Sequence, residues 1–221
     1  MITKIYKIIF FCFIILHQNF SYSKNLDTTK FEKKNVYNYF SGLISLNNNE
    51  NLKSLKFFNS SKKLKDNHQS YIKSYLISLV RNEKINRAIV EIKSTKNKKF
   101  INFFEAKLLL AIDSMKNEDY ERSLLYLQDM KISSTEGSFE NIISNVLEGY
   151  VYLFQYNQIN QNFNQNYGNL SLINKTLQSC YLDKSNTTNL FKNVINTEDK
   201  GYSRYSFFYI NYLISKKKFD E

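Results

Sequence analysis

The side chains best suited to covalent or acid–base chemistry are few and widely spaced in this sequence. The cysteines are Cys12 and Cys180, and the histidine outside the first 23 residues is His68, in the polar stretch KDNHQS. A nucleophilic thiol needs a base within hydrogen-bonding reach, and no motif supplies one for Cys180. We therefore interpret Cys180, in LINKTLQSCYL, as a small buried hydrophobe.

The remaining candidates for catalysis or metal binding are also weak. Glu118, Asp119 and Glu121 have the spacing of ordinary charges on a helix surface. The sequence contains no His/Cys/Asp set with metal-ligand spacing, no Gly-rich phosphate loop and no hydrolase Ser motif; GYSRYSFF has a serine without the flanking glycines. We predict no enzyme, no catalytic residue, no metal and no cofactor within these residues.

The composition points to an AT-rich bacterial genome. The chain has no Pro, no Trp and only 5 Gly, and its formal net charge is +11. Its lysines are scattered among acidic residues, and the densest runs, KNKK at 96–99 and KKK at 216–218, are short. Because codon bias favours Lys, and no nucleic-acid-binding motif is present, we expect a solvated basic surface rather than a nucleic-acid partner.

Residues 1–23 have the organisation of an export signal. MITKIYK carries two lysines and no acid, IIFFCFIIL at 8–16 is apolar throughout, and the polar HQNFSYS follows. This order is typical of a secretory signal peptide, and the apolar run is shorter than the about 20 residues that span a bilayer. Ser21 and Ser23 predict cleavage after Ser23; retention as an anchor is the alternative. Cys12 lies inside the apolar run, which argues against a lipoprotein signal.

Cleavage would leave a polar linker at 24–34 and a mature chain whose only cysteine is Cys180. Such a chain forms no internal disulfide, so its core must hold it together. We expect an exported protein of the bacterial periplasm or cell envelope, with no transmembrane segment after cleavage.

From about residue 35 onward the hydrophobic pattern is helical, and no stretch alternates long enough to predict a strand. Asn, Asp and Lys clusters separate the helices in place of Pro and Gly. Three stretches show the i, i+3, i+4, i+7 spacing of amphipathic helices. Their apolar positions are Tyr39, Leu43 and Leu46; Ile72, Tyr75, Leu76 and Leu79; and Phe104, Leu108, Ala111, Ile112 and Met115.

A period of 34 to 35 residues runs through the first half of the chain. Small residues recur at Ser54, Ala88 and Ser123. Large apolar residues keep the same spacing, namely Phe58, Ile92 and Leu127, and Leu55, Ile89 and Leu124. The small residue lets two helices approach closely, and the large residue one turn later fills the gap to the next pair. One pair cannot bury its apolar face alone, so pairs must stack.

This period resembles the tetratricopeptide repeat family, in which paired antiparallel helices repeat about every 34 residues. Gly42 and Ala111 match the family's small residue in the first helix, and Tyr120 matches the aromatic before the small residue of the second. The family's Trp and Pro are missing, and Leu76 stands where Gly42 and Ala111 stand. The resemblance implies an all-α, right-handed α-solenoid with three helix pairs, at 35–66, 69–97 and 101–132; a bundle with a coincidental period is the alternative.

Beyond residue 131 the pattern loosens, and we interpret 138–221 as divergent helical repeats. Helices are predicted at 138–156, 170–182 and 188–196, with an Asn/Gln-rich stretch at 157–169. The final stretch reads as the first helix of a new pair, a turn and the start of a second helix, with Phe219 at the position of Tyr120. We expect an incomplete last repeat and hence a C-terminally truncated fragment.

The resemblance also implies a concave groove lined by the first helix of each pair, where partners bind. The groove positions carried over from the family are Tyr39, Asn47, Lys73, Arg81 and Lys116. Leu43, Ile77 and Ile112 would add an apolar stripe between them. The three cations would suit an acidic segment or a chain terminus; the alternative is a buried stripe with solvated cations.

Three functions fit these expectations. The first is an exported scaffold that binds a protein or peptide in its groove. The second is a repeat region attached to a cell-envelope or polysaccharide-processing enzyme whose catalytic part lies outside this chain. The third is a basic protein held on anionic membrane lipid.

Overall fold

The computed structural model describes residues 32–160, 166–196 and 204–217. These residues form ten α-helices and two short 3₁₀ helices. The α-helices are α1 (Lys33–Asn47), α2 (Asn51–Ser60), α3 (Gln69–Arg81), α4 (Ile85–Ser94), α5 (Phe104–Lys116), α6 (Tyr120–Ile132), α7 (Phe139–Tyr156), α8 (Asn169–Tyr181), α9 (Thr187–Ile195) and α10 (Tyr205–Ser215). The 3₁₀ helices are Lys62–Leu64 and Lys98–Ile101.

The predicted all-α fold without a β-sheet is confirmed, since the described residues contain no strand. The chain divides into two compact units, Met1–Asn82 and Glu83–Glu221. In the first unit α1, α2 and α3 pack on one another. In the second, each helix from α4 to α10 packs on the next one along the chain. Such packing of sequential neighbours is the arrangement of an α-solenoid.

One type of turn follows the first helix of each pair. It contains a non-glycine residue in the left-handed region, with φ between 52° and 59° at Asn49, Glu83, Glu118, Asp183 and Lys217. The first three are separated by 34 and 35 residues, and the last two again by 34. The repeat period is therefore also a period of backbone conformation, and it recurs in the region where the sequence pattern had loosened.

The hydrogen bonds of this turn explain why each helix stops there. At Asn49, Glu118 and Asp183 the following N–H donates to a carbonyl five residues earlier, at 2.8, 2.9 and 3.0 Å. This bond closes a Schellman motif, which satisfies carbonyls that the helix end would leave unpaired. Three residues separate α1 from α2 and α5 from α6, so each of these two turns reverses the chain into an antiparallel neighbour.

The first unit has an aromatic core built on a close helix approach. The Phe58 ring is fully buried and lies against the backbone of Gly42. Around it lie the rings of Tyr39, Tyr71 and Tyr75, with centroids 6.0 to 6.4 Å from that of Phe58. The Tyr71 hydroxyl donates to the Phe58 carbonyl at 2.7 Å. Position 42 thus needs a small residue, because the Phe58 ring occupies the space that a larger side chain would fill.

The described residues of the second unit include two apolar clusters. Ala111, Leu127, Met130 and Val151 form the core between α5, α6 and α7. The Ser123 hydroxyl, which is fully buried, donates to the Ala111 carbonyl at 3.0 Å. The other cluster consists of Phe191, Tyr209 and Leu213 from α9 and α10. Small residues therefore occupy the α5–α6 contact, as the period of 34 to 35 residues predicts.

Several sequence predictions concern residues outside the described part of the chain. The signal peptide at 1–23, including Cys12, lies there, as do Phe219 and most of the linker at 24–34. Lys33 and Lys34, assigned to the linker, instead form the first turn of α1. The boundary between the two compact units falls inside the predicted pair at 69–97, between α3 and α4.

Gly42→Ala should destabilise the protein. A Cβ at this position would lie 2.9 Å from Cε1 of the buried Phe58 ring. Overpacking of this kind typically costs about 1–3 kcal/mol, whereas the higher helix propensity of Ala returns about 1 kcal/mol, so we expect a net loss of roughly 1 kcal/mol. The measurement is the free energy of unfolding in urea, followed by circular dichroism.

Gly149→Ala is the matched control for Gly42→Ala. Gly149 also lies inside a helix, but an added Cβ would meet only Gln178 Nε2, at the ordinary contact distance of 3.5 Å. This variant should gain about 0.5–1 kcal/mol. Equal stabilisation by both variants would contradict the close approach of α1 and α2.

Glu118→Gly should stabilise the protein by about 1 kcal/mol, because a left-handed conformation strains any residue that carries a Cβ. Glu118 has φ 59° and its side chain is exposed. Glu121→Gly, at an exposed position in the first turn of α6, should instead lower stability, as glycine does in helices. A lower urea midpoint for both variants would argue against the left-handed turn.

Candidate partner-binding surface

Four of the five predicted groove residues belong to α1 and α3, which pack together in the first unit. Asn47, the last residue of α1, is exposed, and so are Lys73 and Arg81 on α3. Eight residues separate Lys73 from Arg81, which is about 12 Å along a helix axis. Leu43 and Ile77 of the apolar stripe are half-buried.

Tyr39 does not line a surface. Its side chain is only 7% exposed and packs against Phe58, Tyr71 and His68, the last with ring centroids 4.9 Å apart. Burial raises the pKa of the Tyr39 hydroxyl, and its hydrogen bonds to Ser74 and Ser70 act in the opposite direction. The assignment of Tyr39 to the groove is therefore corrected: it belongs to the aromatic core, because an amphipathic pattern does not distinguish a core face from an adjacent groove.

Arg81 is exposed but already has partners. Its Nη1 donates to the Leu46 carbonyl at 2.9 Å and to Asn49 Oδ1 at 3.3 Å. These contacts place a positive charge at the C-terminal end of α1, where helix carbonyls are unpaired and the helix dipole is negative. Arg81 therefore joins α3 to the end of α1, and a partner would have to compete for it.

Lys116 and Ile112 belong to the second unit. Lys116 is the exposed last residue of α5, in the same register as Arg81, 35 residues later. Ile112 lies one turn earlier and is 45% exposed. On α5, the predicted cation and the predicted apolar side chain are therefore both accessible to a partner.

The predicted packing residues lie inside the two units. Ser54, Ala88 and Ser123 are fully buried, and so are Phe58, Ile92 and Leu127, and Ala111. Gly42 is also buried, and Tyr120 is half-buried against the core of the second unit. Ser54 Oγ donates to Ser78 Oγ of α3 at 3.1 Å, so the small residue of α2 contacts the first helix of the next pair.

Cys180, His68 and Asp119 are among the side chains considered above for catalysis. Each of them contacts neighbouring residues of the fold. Cys180 is half-buried beside Phe191, and burial, followed by the nearby Asp183 carboxylate, raises the pKa of its thiol. His68 Nδ1 accepts a hydrogen bond from the Tyr71 N–H at 3.0 Å and so caps the start of α3. Asp119 caps α6 by accepting from the Arg122 N–H at 3.2 Å.

Among the described residues, no group of three or more His, Cys, Asp or Glu side chains is arranged to hold a metal ion. None of the ten helices is both long and apolar enough to cross a bilayer.

An exposed apolar face on α1 is not evident from the sequence pattern. Tyr37, Phe40 and Ile44 are each more than half exposed and lie on one side of the helix. On α3, the positions equivalent to Tyr37 and Ile44 are occupied by Tyr71 and Ser78. Both are fully buried, and both form hydrogen bonds with residues of α2. The positions that are exposed on α1 are therefore the ones that pack against the preceding helix in the next repeat.

A similar face occurs on α10. Phe207, Ile210 and Ile214 lie on one side of this helix, and Ile210 is 54% exposed. Ile210 occupies the same position in the repeat as Gly42, Ala111 and Thr176, and those three residues are all buried. Both faces could be found only by comparing burial at equivalent positions.

Comparison of the chain with protein-family models, curated proteins and solved structures finds no match. Its function therefore has to be inferred from its own residues.

Arg81→Met should lower the free energy of unfolding by about 1 kcal/mol, because it removes the charged hydrogen bonds to the end of α1 and keeps the apolar stem. Lys116→Met, at the equivalent position of α5, is the control and should change stability by less than about 0.5 kcal/mol. Urea unfolding of both variants measures the difference. Similar effects would indicate that the Arg81 contacts do not stabilise the fold.

Proposed function

We propose that this chain is an exported, tetratricopeptide-like scaffold that binds a segment of another protein. The observation that carries the proposal is the recurrence of one left-handed turn at Asn49, Glu83 and Glu118, with spacings of 34 and 35 residues. Helix pairs of this length, with a buried small residue in register, are the unit of tetratricopeptide arrays, which present extended binding surfaces.

The proposed contacts lie on the first helix of a pair in each unit, α3 in the first unit and α5 in the second. Lys73 on α3 and Lys116 on α5 are exposed cations, and Ile77 and Ile112 lie one turn from them on the same helices. On each of these helices, a cation one turn from an apolar side chain suits an acidic segment that also carries apolar residues. Arg81 has a smaller part in this proposal, because its guanidinium caps α1.

The location of the protein is part of the proposal. The order of charged, apolar and polar residues in 1–23 supports export, and the partner is then a protein of the periplasm or cell envelope.

Lys73→Glu combined with Lys116→Glu should reduce capture of the partner roughly tenfold, because the substitutions place negative charge opposite an acidic segment. The measurement is a pull-down from envelope extract, with the captured protein identified by mass spectrometry and then titrated in pure form.

Lys175→Glu combined with Lys192→Glu is the matched control, because it makes the same change in net charge at exposed positions of α8 and α9. The control should capture as much partner as the unchanged protein. Equal loss in both variants would mean that only net charge matters, and no loss in either would exclude the first-helix surface as the site.

A further inference from the structure

A basic cavity lies between α1 and α2 in the first helix pair. Its volume is about 610 Å³, within the range of small-molecule sites. The described residues that line it are Lys34, Asn38, Lys53, Lys56, Phe57 and Ser60. Three of these six are cations and none is acidic. Lys53 pairs with Glu50 at 2.9 Å on the exposed surface of α2, so the excess positive charge belongs mainly to Lys34 and Lys56.

Asn38 gives this cavity a buried polar wall. Its side chain is only 7% exposed and forms part of the cavity lining. An asparagine amide carries two N–H donors. Because Asn38 lines the cavity, its amide can donate to a ligand bound there.

The third helix pair indicates what kind of partner this is. A shift of 69 residues, from Asn49 to Glu118, carries Asn38 onto Lys107 and Ser60 onto Asp129. Lys107 is 6% exposed, and its Nζ lies 2.9 Å from Asp129 Oδ2. The same Nζ also donates to Ser133 Oγ at 3.4 Å. In the third pair, a buried lysine is thus paired with a carboxylate whose side chain is 59% exposed.

The first pair lacks that anion. Ser60 replaces the aspartate, and its hydroxyl donates to the Lys56 carbonyl at 3.0 Å. Asn38, which is shorter, stands at the position of Lys107. The lysines of the cavity are at other positions, around its edge. The third pair thus has a carboxylate at the position where the first pair has an open cavity lined by lysines.

We propose that the cavity between α1 and α2 binds a phosphate monoester. Lysine ammonium groups bind phosphate as point charges, and a dianion matches the excess charge better than a single carboxylate. The Asn38 amide donates to a phosphoryl oxygen, and the Phe57 ring contacts the organic group. The monoester is either a soluble metabolite or the headgroup of a phospholipid, and it is distinct from the protein segment proposed for the first-helix surface.

Titration of the ¹⁵N-labelled protein with glycerol 3-phosphate tests this site. The amide signals of Lys34, Asn38 and Phe57 should shift and saturate, whereas those of α8 should not. Asn38→Asp keeps the shape of the side chain and places a negative charge in the cavity, so it should weaken binding at least roughly tenfold. Lys175→Gln, on α8, should leave binding unchanged.

Asn38→Lys combined with Ser60→Asp provides a second, independent variant. It introduces the ion pair of the third helix pair into the first, and should retain the helical circular dichroism while losing glycerol 3-phosphate binding. Unmoved cavity signals in the unchanged protein would overturn the proposal. So would equal binding by the unchanged protein and both cavity variants.

Vesicles distinguish the two sources of the monoester. Sedimentation with vesicles of phosphatidic acid in phosphatidylcholine, but not with phosphatidylcholine alone, together with loss of sedimentation in Asn38→Asp, would assign the site to a lipid headgroup. Saturable glycerol 3-phosphate binding with no Asn38-dependent sedimentation would assign it to a soluble ligand.

Discussion

The need to reverse the chain within three residues governs this structure. A helix can pack against its successor after so short a turn only when the residue beyond its C-cap adopts a left-handed conformation and the next N–H returns to the helix end. Asn49 and Glu118 both do this, and the bonds from the residues after them measure 2.8 and 2.9 Å. The turn fixes which side chains of the two helices face each other, so the register of the packing depends on it.

Within that register, helix contacts depend on pairs of small and large residues. In the first unit the missing Cβ of Gly42 makes room for the Phe58 ring, and in the second the Ser123 hydroxyl reaches the backbone of Ala111. Close packing leaves little tolerance for added volume. The large residue that fills one contact is also the residue that limits its partner position to glycine or another small side chain.

The fold was largely predictable from the sequence because small residues with a fixed spacing report close backbone approach directly. The turns were harder to predict, because Glu and Lys occupy left-handed positions where glycine or asparagine is expected. The groove was predicted least well. Tyr39 has the periodicity of a surface-lining residue but is buried by three aromatic neighbours, and Arg81 has the charge of a ligand contact but caps α1. Asn38 is an unremarkable helical residue until its burial and its counterpart Lys107 are known.

Sequential packing has a consequence for how the protein forms. The helices that pack most extensively lie one or two places apart in their own unit, so most native contacts join residues close in sequence. Chains with such low contact order close short loops before they gain packing energy, and small helical domains of this type fold in microseconds to milliseconds. Local contacts also allow stability to vary along the array. Amide exchange is therefore expected to be faster in α10, where Phe207, Ile210 and Ile214 are exposed, than around the fully buried Phe58 and Leu127.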